Sequence, residues 1–123
     1  MVHRMLMSVP EPAVAGLEPD SCLRADPAEM MSRAEEASAF LKAMSHEGRL
    51  MILCYLSSGE KSVTELEQLL ASRQAAVSQQ LARLRGEGLV SARRDGKAMH
   101  YSLSEPRVAR LIAVLYDMFC KQD

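Results

Sequence analysis

The sequence predicts a mainly helical protein of five helices and one two-stranded β-hairpin. Two short amphipathic segments, near residues 63–71 and 74–85, are separated by only a few residues around Ser72 and Arg73, which is the spacing of a helix-turn-helix. Two segments of alternating polarity follow at once, and Asp95-Gly96 between them is a strong signal for a two-residue hairpin turn. Longer helical patterns precede and follow this region. Together these features are typical of a winged helix-turn-helix, with the hairpin as the wing.

The length and composition allow one domain with a modest core. The chain has 123 residues, of which 48% are hydrophobic but only 4% aromatic, so Leu and nine Met must fill the core. Residues 1–25 contain scattered prolines and acids without a helical or strand period, and we expect this segment to be poorly ordered. Residues 26–123 form the predicted winged helix-turn-helix domain, with its first and last helices used for dimerisation.

The first predicted helix begins at Asp26-Pro27, with proline at the first helical position. An apolar residue recurs at every third or fourth position along it: Met30, Ala34, Ala37, Leu41 and Met44. This stripe is long for the core of a small domain. We therefore expect it to contribute to the interface of a homodimer.

The second helix is predicted to start at a Ser45 cap. From Arg49 to Ser57 it presents Leu50, Leu53 and Leu56 to the core. His46 in its first turn is expected to be a helix-end or interface residue rather than a ligand.

The third helix is predicted from about Val63 to Ala71. Ser62 precedes it and Glu65 follows three residues later, which is the pattern of a capping box. Its leucines at helical spacing are expected to share one face: Leu66, Leu69 and Leu70.

The fourth helix, from about Gln74 to Arg85, has the composition of a helix that reads DNA. Val77, Leu81 and Leu84 share one face, which must point to the core. The opposite face has small residues that permit close approach, and Gln and Arg make bidentate contacts to base edges. For this helix alone, an ordinary polar surface is an equal alternative. The candidate DNA contacts on it are Gln74, Ser78, Gln79, Gln80 and Arg83.

The hairpin adds basic residues to this region. Its strands are predicted over Leu89 to Arg94 and Lys97 to Leu103, with Arg93, Arg94 and Lys97 near the tip. The net charge is −1 for the whole chain, but residues 73–97 contain six basic and two acidic residues, whereas residues 11–36 contain seven acids and two arginines. A basic patch on an otherwise acidic chain favours a polyanionic partner, so the hairpin is expected to lie along phosphates or in a minor groove.

The last helix is predicted to start at Glu105-Pro106 and to run from about Arg107 to Lys121. Its apolar face is wide: Val108, Leu111, Ile112, Leu115, Met118 and Phe119. That width indicates packing against both its own domain and a second subunit.

Several classes of protein are disfavoured. The chain has no apolar run long enough for a membrane span and no secretory signal pattern, so we expect a cytoplasmic protein without membrane contact. None of its three histidines stands in a recognisable motif with a cysteine, so an enzyme with a cysteine nucleophile is not expected.

The order of these elements and three segments of the sequence resemble the arsenical-resistance-repressor (ArsR) family of small dimeric winged-helix repressors. They are Leu41-Lys-Ala-Met-Ser-His-Glu-Gly-Arg-Leu-Met-Ile-Leu, Val77-Ser-Gln-Gln-Leu-Ala-Arg-Leu-Arg-Gly-Glu-Gly-Leu-Val and Asp95-Gly-Lys-Ala-Met-His-Tyr-Ser-Leu. The resemblance implies a homodimer that binds double-stranded operator DNA. The function expected from it is transcriptional repression.

The usual metal sites of that family are missing here. Its thiolate metal sensors carry cysteines on the helix before the DNA-reading helix, where this chain has Thr64-Glu-Leu-Glu-Gln-Leu. Its zinc and nickel sensors place Asp and His along the last helix, where this chain has Asp117 but no His, and His100 in the hairpin has no neighbouring ligand. Since a compact metal site needs several donors, we expect no metal and no other cofactor.

Three cysteines remain: Cys22, Cys54 and Cys120. Cys22 is expected to be an incidental thiol of the leading segment. Cys54 and Cys120 lie on helices that pack together in the winged-helix arrangement, so their thiols could face each other, although two buried structural cysteines are the alternative.

The cysteine pair resembles that of the persulfide-responsive subgroup of the ArsR family. This resemblance implies that Cys54 and Cys120 are sensing thiols. Reactive sulfur species would link them through a chain of sulfur atoms, and the operator would be released. A metal-responsive or general redox-responsive repressor is the alternative.

Overall fold

The computed structural model describes residues 26–71 and 74–121, and for residues 74 and 75 it describes the backbone only. The chain divides after Ser38 into two units, Met1–Ser38 and Ala39–Asp123. The helical core and the wing belong to the second unit. Three predictions lie outside the described residues: the poorly ordered segment 1–25, the role of Cys22, and the turn at Ser72 and Arg73.

Five helices and a hairpin follow one another in the predicted order. The elements are α1 Pro27–Met44, α2 Glu47–Leu56, β1 Lys61–Ser62, α3 Val63–Leu70, α4 Gln74–Gly86, β2 Val90–Asp95, β3 Ala98–Leu103 and α5 Pro106–Phe119. The mainly helical winged fold is therefore confirmed. None of the described helices has the length and apolar character needed to cross a membrane.

The wing has a third strand that the sequence did not predict. The sheet order is β1-β3-β2, with antiparallel neighbours, and β1 pairs Lys61 with Tyr101 and Ser62 with His100. A strand of two residues is too short to show alternation, which explains why the sequence gives no sign of it. Its consequence is that the start of α3 is attached directly to the wing.

The hairpin turn lies one residue later than predicted. Asp95 pairs with Ala98 as the last pair of β2 and β3, so the two turn residues are Gly96 and Lys97 rather than Asp95 and Gly96. Gly96 has φ +65° at the first central position, as in a type II′ turn, where glycine is favoured. Lys97 therefore lies at the tip itself.

The cap of α2 is His46, not the predicted Ser45. The backbone of His46 is extended, and its Nδ1 accepts a hydrogen bond from the Gly48 N–H at 3.0 Å. Ser45 instead donates from its hydroxyl to the Lys42 carbonyl at the end of α1, at 3.1 Å. The helix thus starts at Glu47, one residue later than a Ser45 cap would place it, and ends at Leu56.

Polar caps fix the starts of α3 and α5 as predicted. The Ser62 hydroxyl accepts from the Glu65 N–H at 3.1 Å, and the Glu65 carboxylate accepts from the Ser62 N–H at 2.7 Å, which completes the capping box. At α5, the Glu105 carboxylate accepts from the Arg107 N–H at 3.0 Å and Pro106 occupies the first turn.

One apolar core underlies the second unit. Leu53 of α2, Leu66 of α3, Leu81 and Leu84 of α4 and Val108 of α5 are all fully buried. The predicted inner face of α4 is confirmed, since Val77 is buried as well. Ile52, which was not assigned to the core, is also fully buried.

The predicted inner face of α3 was partly wrong. Leu66 is buried and Leu70 is half-buried, but Leu69 is 44% exposed. A helix of eight residues has room for only a narrow buried stripe, and Leu66 and Leu70, four residues apart, occupy it.

Candidate functional site

The outer face of α4 presents most of the predicted DNA-contacting side chains to solvent. Ser78, Gln79 and Arg83 are exposed, as is the small Ala82. The side chain of Gln74 lies outside the described part of the chain. Because the buried face fixes the rotation of the helix about its axis, the exposed face is a polar strip, and α4 contains no acidic residue to repel phosphates.

Two side chains of α4 have partners within the chain. Gln80 is half-buried, and its amide Nε2 lies 3.3 Å from Nδ1 of His46. Arg83 forms an exposed ion pair with Glu87, with Nε 3.3 Å from Oε2. An exposed pair one turn apart contributes little to stability, so Arg83 can exchange it for a phosphate or a base edge at small loss.

Arg93 of the wing forms a forked ion pair. Its Nε and one terminal nitrogen donate to the two carboxylate oxygens of Glu60, at 2.8 and 2.7 Å. The hydrogen bonds and charge of Arg93 hold the pKa of Glu60 below its usual range. Since Glu60 immediately precedes β1, this pair attaches β2 to the loop after α2. The other two predicted wing contacts, Arg94 and Lys97, are exposed close to the turn.

Cys54 of α2 and Cys120 at the end of α5 line the same cavity. Both are free thiols with exposed surface. The cavity has a volume of about 700 Å³, and its walls are mainly apolar and aromatic side chains: Leu50, Tyr55, Ser57, Ala109, Ile112, Ala113, Leu115, Tyr116 and Phe119. The structure therefore brings the two predicted sensing thiols together at one site and leaves them open to a small reagent.

The cavity changes the acidity of Cys54. Burial raises the pKa of this thiol, and a negative charge on Cys120 raises it further. The two effects have one physical meaning: two thiolates side by side against an apolar wall are unfavourable. Cys54 is accordingly harder to ionise than an ordinary cysteine.

No metal site accompanies the thiols in the described ranges 26–71 and 74–121, where no three His, Cys, Asp or Glu side chains are grouped to hold an ion. Asp117, the residue at the position that resembles a family metal ligand, forms an ion pair with Lys121 instead, at 3.5 Å.

Two contacts of this region could not be found from the sequence. The partners His46 and Gln80 are 34 residues apart, and Glu60 and Arg93 are 33 residues apart. No local period or motif links residues at such separations. Only the packing of α2 on α4 and of β1 on β3 brings them together.

The fold and these surfaces define a winged-helix transcriptional regulator, and comparison with known proteins identifies its family. The family model for bacterial regulatory proteins of the arsR family matches residues 46–92. The biofilm growth-associated repressor of Agrobacterium fabrum is 48% identical over 91 residues, which cover 74% of this chain and 78% of that protein. The corresponding repressor of Xylella fastidiosa is 45% identical over 95 residues, covering 77% and 83%. The chain belongs to the ArsR family.

Solved structures agree with this assignment. The crystal structure of the repressor BigR from Xylella fastidiosa matches with a TM-score of 0.73 and 44% identity, covering 80% of this chain and all of that one. Reduced HlyU from Vibrio cholerae matches with a TM-score of 0.73 and 42% identity, covering 76% and 98%. These relatives are transcriptional regulators. The chain is a DNA-binding transcriptional regulator of this repressor type.

Proposed function

We propose that this repressor senses reactive sulfur species through Cys54 and Cys120 and releases its operator when a chain of sulfur atoms links them. The observation that carries the proposal is that both thiols line one cavity between α2 and α5. The cavity is within the size range of small-molecule sites and is open to solvent. Free thiols at such a site fit a reagent that reacts with sulfur.

The reaction balances with an organic persulfide as the oxidant. A cysteine thiolate attacks the outer sulfur of a persulfide RSSH, which forms Cys–S–SH and releases RSH. When both cysteines carry such a sulfur, the terminal sulfur of one attacks the inner sulfur of the other and expels HS⁻. The sum is two cysteines and two RSSH giving one trisulfide bridge, two RSH and one H₂S, so the two electrons lost by the thiols end in H₂S.

The preference for a longer bridge has a geometric reason. A disulfide requires Cα atoms within about 7 Å and a narrow dihedral range. Each additional sulfur extends the reach by up to about 2 Å, which relaxes both requirements. If the Cα atoms of Cys54 and Cys120 lie slightly beyond this limit, a trisulfide or tetrasulfide would join them with less strain than a disulfide, and the protein would respond to persulfides more than to peroxide.

The DNA-binding form is proposed to be a homodimer. Tyr116, Met118 and Phe119 at the end of α5 are 59%, 66% and 77% exposed, and Leu41 of α1 is 54% exposed. Three large apolar side chains exposed at one helix end are a candidate contact surface for a second subunit. A second copy would cover it and would set the distance between the two α4 helices.

The bridge would act through that distance. Operator half-sites require their reading helices at a fixed spacing of about one turn of DNA. A covalent link between α2 and α5 changes the packing of both helices, since α5 also carries the exposed apolar end. The proposed DNA contacts are Gln74, Ser78, Gln79 and Arg83 of α4 in the major groove, and Arg94 and Lys97 of the wing on phosphates, with Arg93 and Gln80 held within the chain.

The test uses Cys54→Ser and Cys120→Ser. Each variant should bind operator DNA as tightly as the unchanged protein, because neither residue lies on the DNA-facing surface, and each should keep the operator bound when glutathione persulfide is added. Cys22→Ser is the matched control and should release normally. Normal release by either variant of the pair would refute the proposal, and so would release of all proteins by stoichiometric zinc alone.

A further inference from the structure

The cap of α2 and the DNA-reading helix α4 share one hydrogen-bonded group. The Nδ1 atom of His46 accepts from the Gly48 N–H at 3.0 Å, which caps α2, and lies 3.3 Å from the amide nitrogen of Gln80 on α4. Both N–H groups therefore approach the same ring nitrogen. One imidazole is thus in contact with both the first turn of α2, through Gly48, and the middle of α4, through Gln80.

The Gln80 amide lies close to Gly48 at the start of α2. A Cβ atom at Gly48 would lie 3.1 Å from Nε2 of Gln80 and 3.3 Å from the His46 ring. Such distances are shorter than ordinary van der Waals contact, so a side chain at this position would require the amide to shift by a few tenths of an ångström. The segment His46-Glu-Gly therefore leaves room for Gln80 to reach the cap.

Gln80 differs in this respect from the other polar residues of α4. Ser78, Gln79 and Arg83 are exposed, whereas Gln80 is half-buried and borders a small cavity together with His46 and Gly48. A side chain in that position is directed toward α2 and not toward a groove of DNA.

The remaining contacts described between these helices are apolar. Ile52 and Leu53 of α2 belong to the same buried cluster as Val77 and Leu81 of α4. Apolar contacts have no preferred direction, so they permit small shifts of one helix on the other, whereas a hydrogen bond fixes distance and angle. The contact between His46 and Gln80 adds a directional interaction to this apolar packing, at the start of α2.

We propose that Gln80 is a positioning residue that couples α4 to α2, and that the His46–Gln80 hydrogen bond transmits the effect of the sulfur bridge to the DNA-reading helix. The inference rests on the proposed function. Cys54 lies eight residues after His46 on the same helix, about 12 Å along its axis. A displacement of α2 by the bridge moves His46 as well, and the hydrogen bond carries this displacement to α4.

The decisive quantity is the ratio of operator affinities before and after treatment with glutathione persulfide. Gln80→Met keeps the length of the side chain but removes the amide. His46→Asn keeps a good helix cap but is too short to reach Gln80. Gln79→Met, on the exposed face of the same helix, is the matched control. Fluorescence anisotropy with labelled operator DNA gives both affinities, and intact-mass measurement shows whether the bridge has formed.

Whatever their affinity as dithiols, Gln80→Met and His46→Asn should show a ratio of the two operator affinities at least about fivefold smaller than that of the unchanged protein, the lower end of typical allosteric couplings. The double variant should lose no more than either single variant, because both changes remove one interaction. Gln79→Met should weaken binding equally in both states and leave the ratio unchanged.

Two results would overturn the inference while the proposed function stands. The first is an unchanged ratio in the Gln80 and His46 variants although the bridge forms. The second is a Gln80→Met protein that behaves like Gln79→Met, since Gln80 would then read bases. Failure of the unchanged protein to form the bridge or to release DNA would instead refute the proposed function, and this inference with it. If Gln80→Met does not fold, His46→Asn gives the same ratio.

Discussion

The thiol cavity and the DNA-facing surface differ most in charge. Among the described residues that line the cavity, none is acidic, basic or histidine, and burial there raises the pKa of Cys54. The α4 and wing surface carries Arg83, Arg93, Arg94 and Lys97. One site is thus suited to covalent chemistry with a small molecule, and the other to a salt-dependent contact with a polyanion.

The comparison also shows that a count of basic residues overstates the positive charge that the DNA-facing surface has available for phosphates. Arg93 is paired with Glu60, and Arg83 with Glu87, so two of the basic residues have acidic partners in the chain. Arg94 and Lys97 stand exposed at the wing. Arg94 and Lys97 therefore contribute more to a phosphate contact than the paired Arg93.

The largest effect is expected at the wing tip. Because each substitution removes one contact from both subunits of the dimer, Lys97→Ala or Arg94→Ala should each reduce the magnitude of the slope of log affinity against log salt by about 1.8, which is about a 60-fold loss of operator affinity at 0.1 M salt relative to 1 M. Arg93→Ala should change the slope less, since its charge is already matched by Glu60. Titration of labelled operator DNA at several salt concentrations measures all three slopes.

A matched variant makes this test specific. Glu60→Gln keeps the shape of the partner but removes its charge, and it should increase the salt slope because Arg93 then has a free charge. Equal slopes for Arg93→Ala and Lys97→Ala would contradict the distinction between paired and exposed arginines and lysines of the wing.

A smaller effect is expected in the cavity. A raised pKa means that Cys54 is protonated at neutral pH and becomes thiolate only as the pH rises beyond 9.0, the ordinary thiol value. In a Cys22→Ser, Cys120→Ser protein, iodoacetamide should therefore modify Cys54 more slowly at pH 7.5 than in the same protein unfolded in urea. The folded rate should still be increasing above pH 9.0.

The contribution of Cys120 can be separated. Restoring Cys120 should slow the modification of Cys54 by iodoacetamide further once Cys120 is ionised, because the negative charge of Cys120 opposes a second thiolate. Salt should leave the rate in the Cys54-only protein nearly unchanged, since no charged side chain lines the described cavity. A modification rate that levels off below pH 9.0 would contradict a raised pKa of Cys54.

Much of the fold was accessible from the sequence because periodic patterns specify it. The helical spacing of Val77, Leu81 and Leu84 predicted the buried face of α4, and the Ser62–Glu65 pattern predicted the capping box. Alternation after Gly88 predicted the wing. Each of these signals is local, so a single sequence contains it in full.

The structure differs from the sequence-based predictions where contacts between distant segments determine the local conformation. Ser45 and His46 are both able to cap α2, and the contact with Gln80 accompanies the choice of His46. The β1 strand exists only because β3 pairs with it. For the site, the resemblance to a family predicted which thiols meet, but the apolar walls of their cavity and the Glu60–Arg93 pair follow from the packing of distant segments.

The most direct test of the account measures mass and operator binding on the same sample after two treatments. With glutathione persulfide, the intact mass should show at least one added sulfur and the loss of both free thiols, and DNA binding should disappear in proportion. With hydrogen peroxide, that bridge should not form and DNA binding should persist. Loss of operator binding without sulfur linking Cys54 to Cys120 would contradict the account.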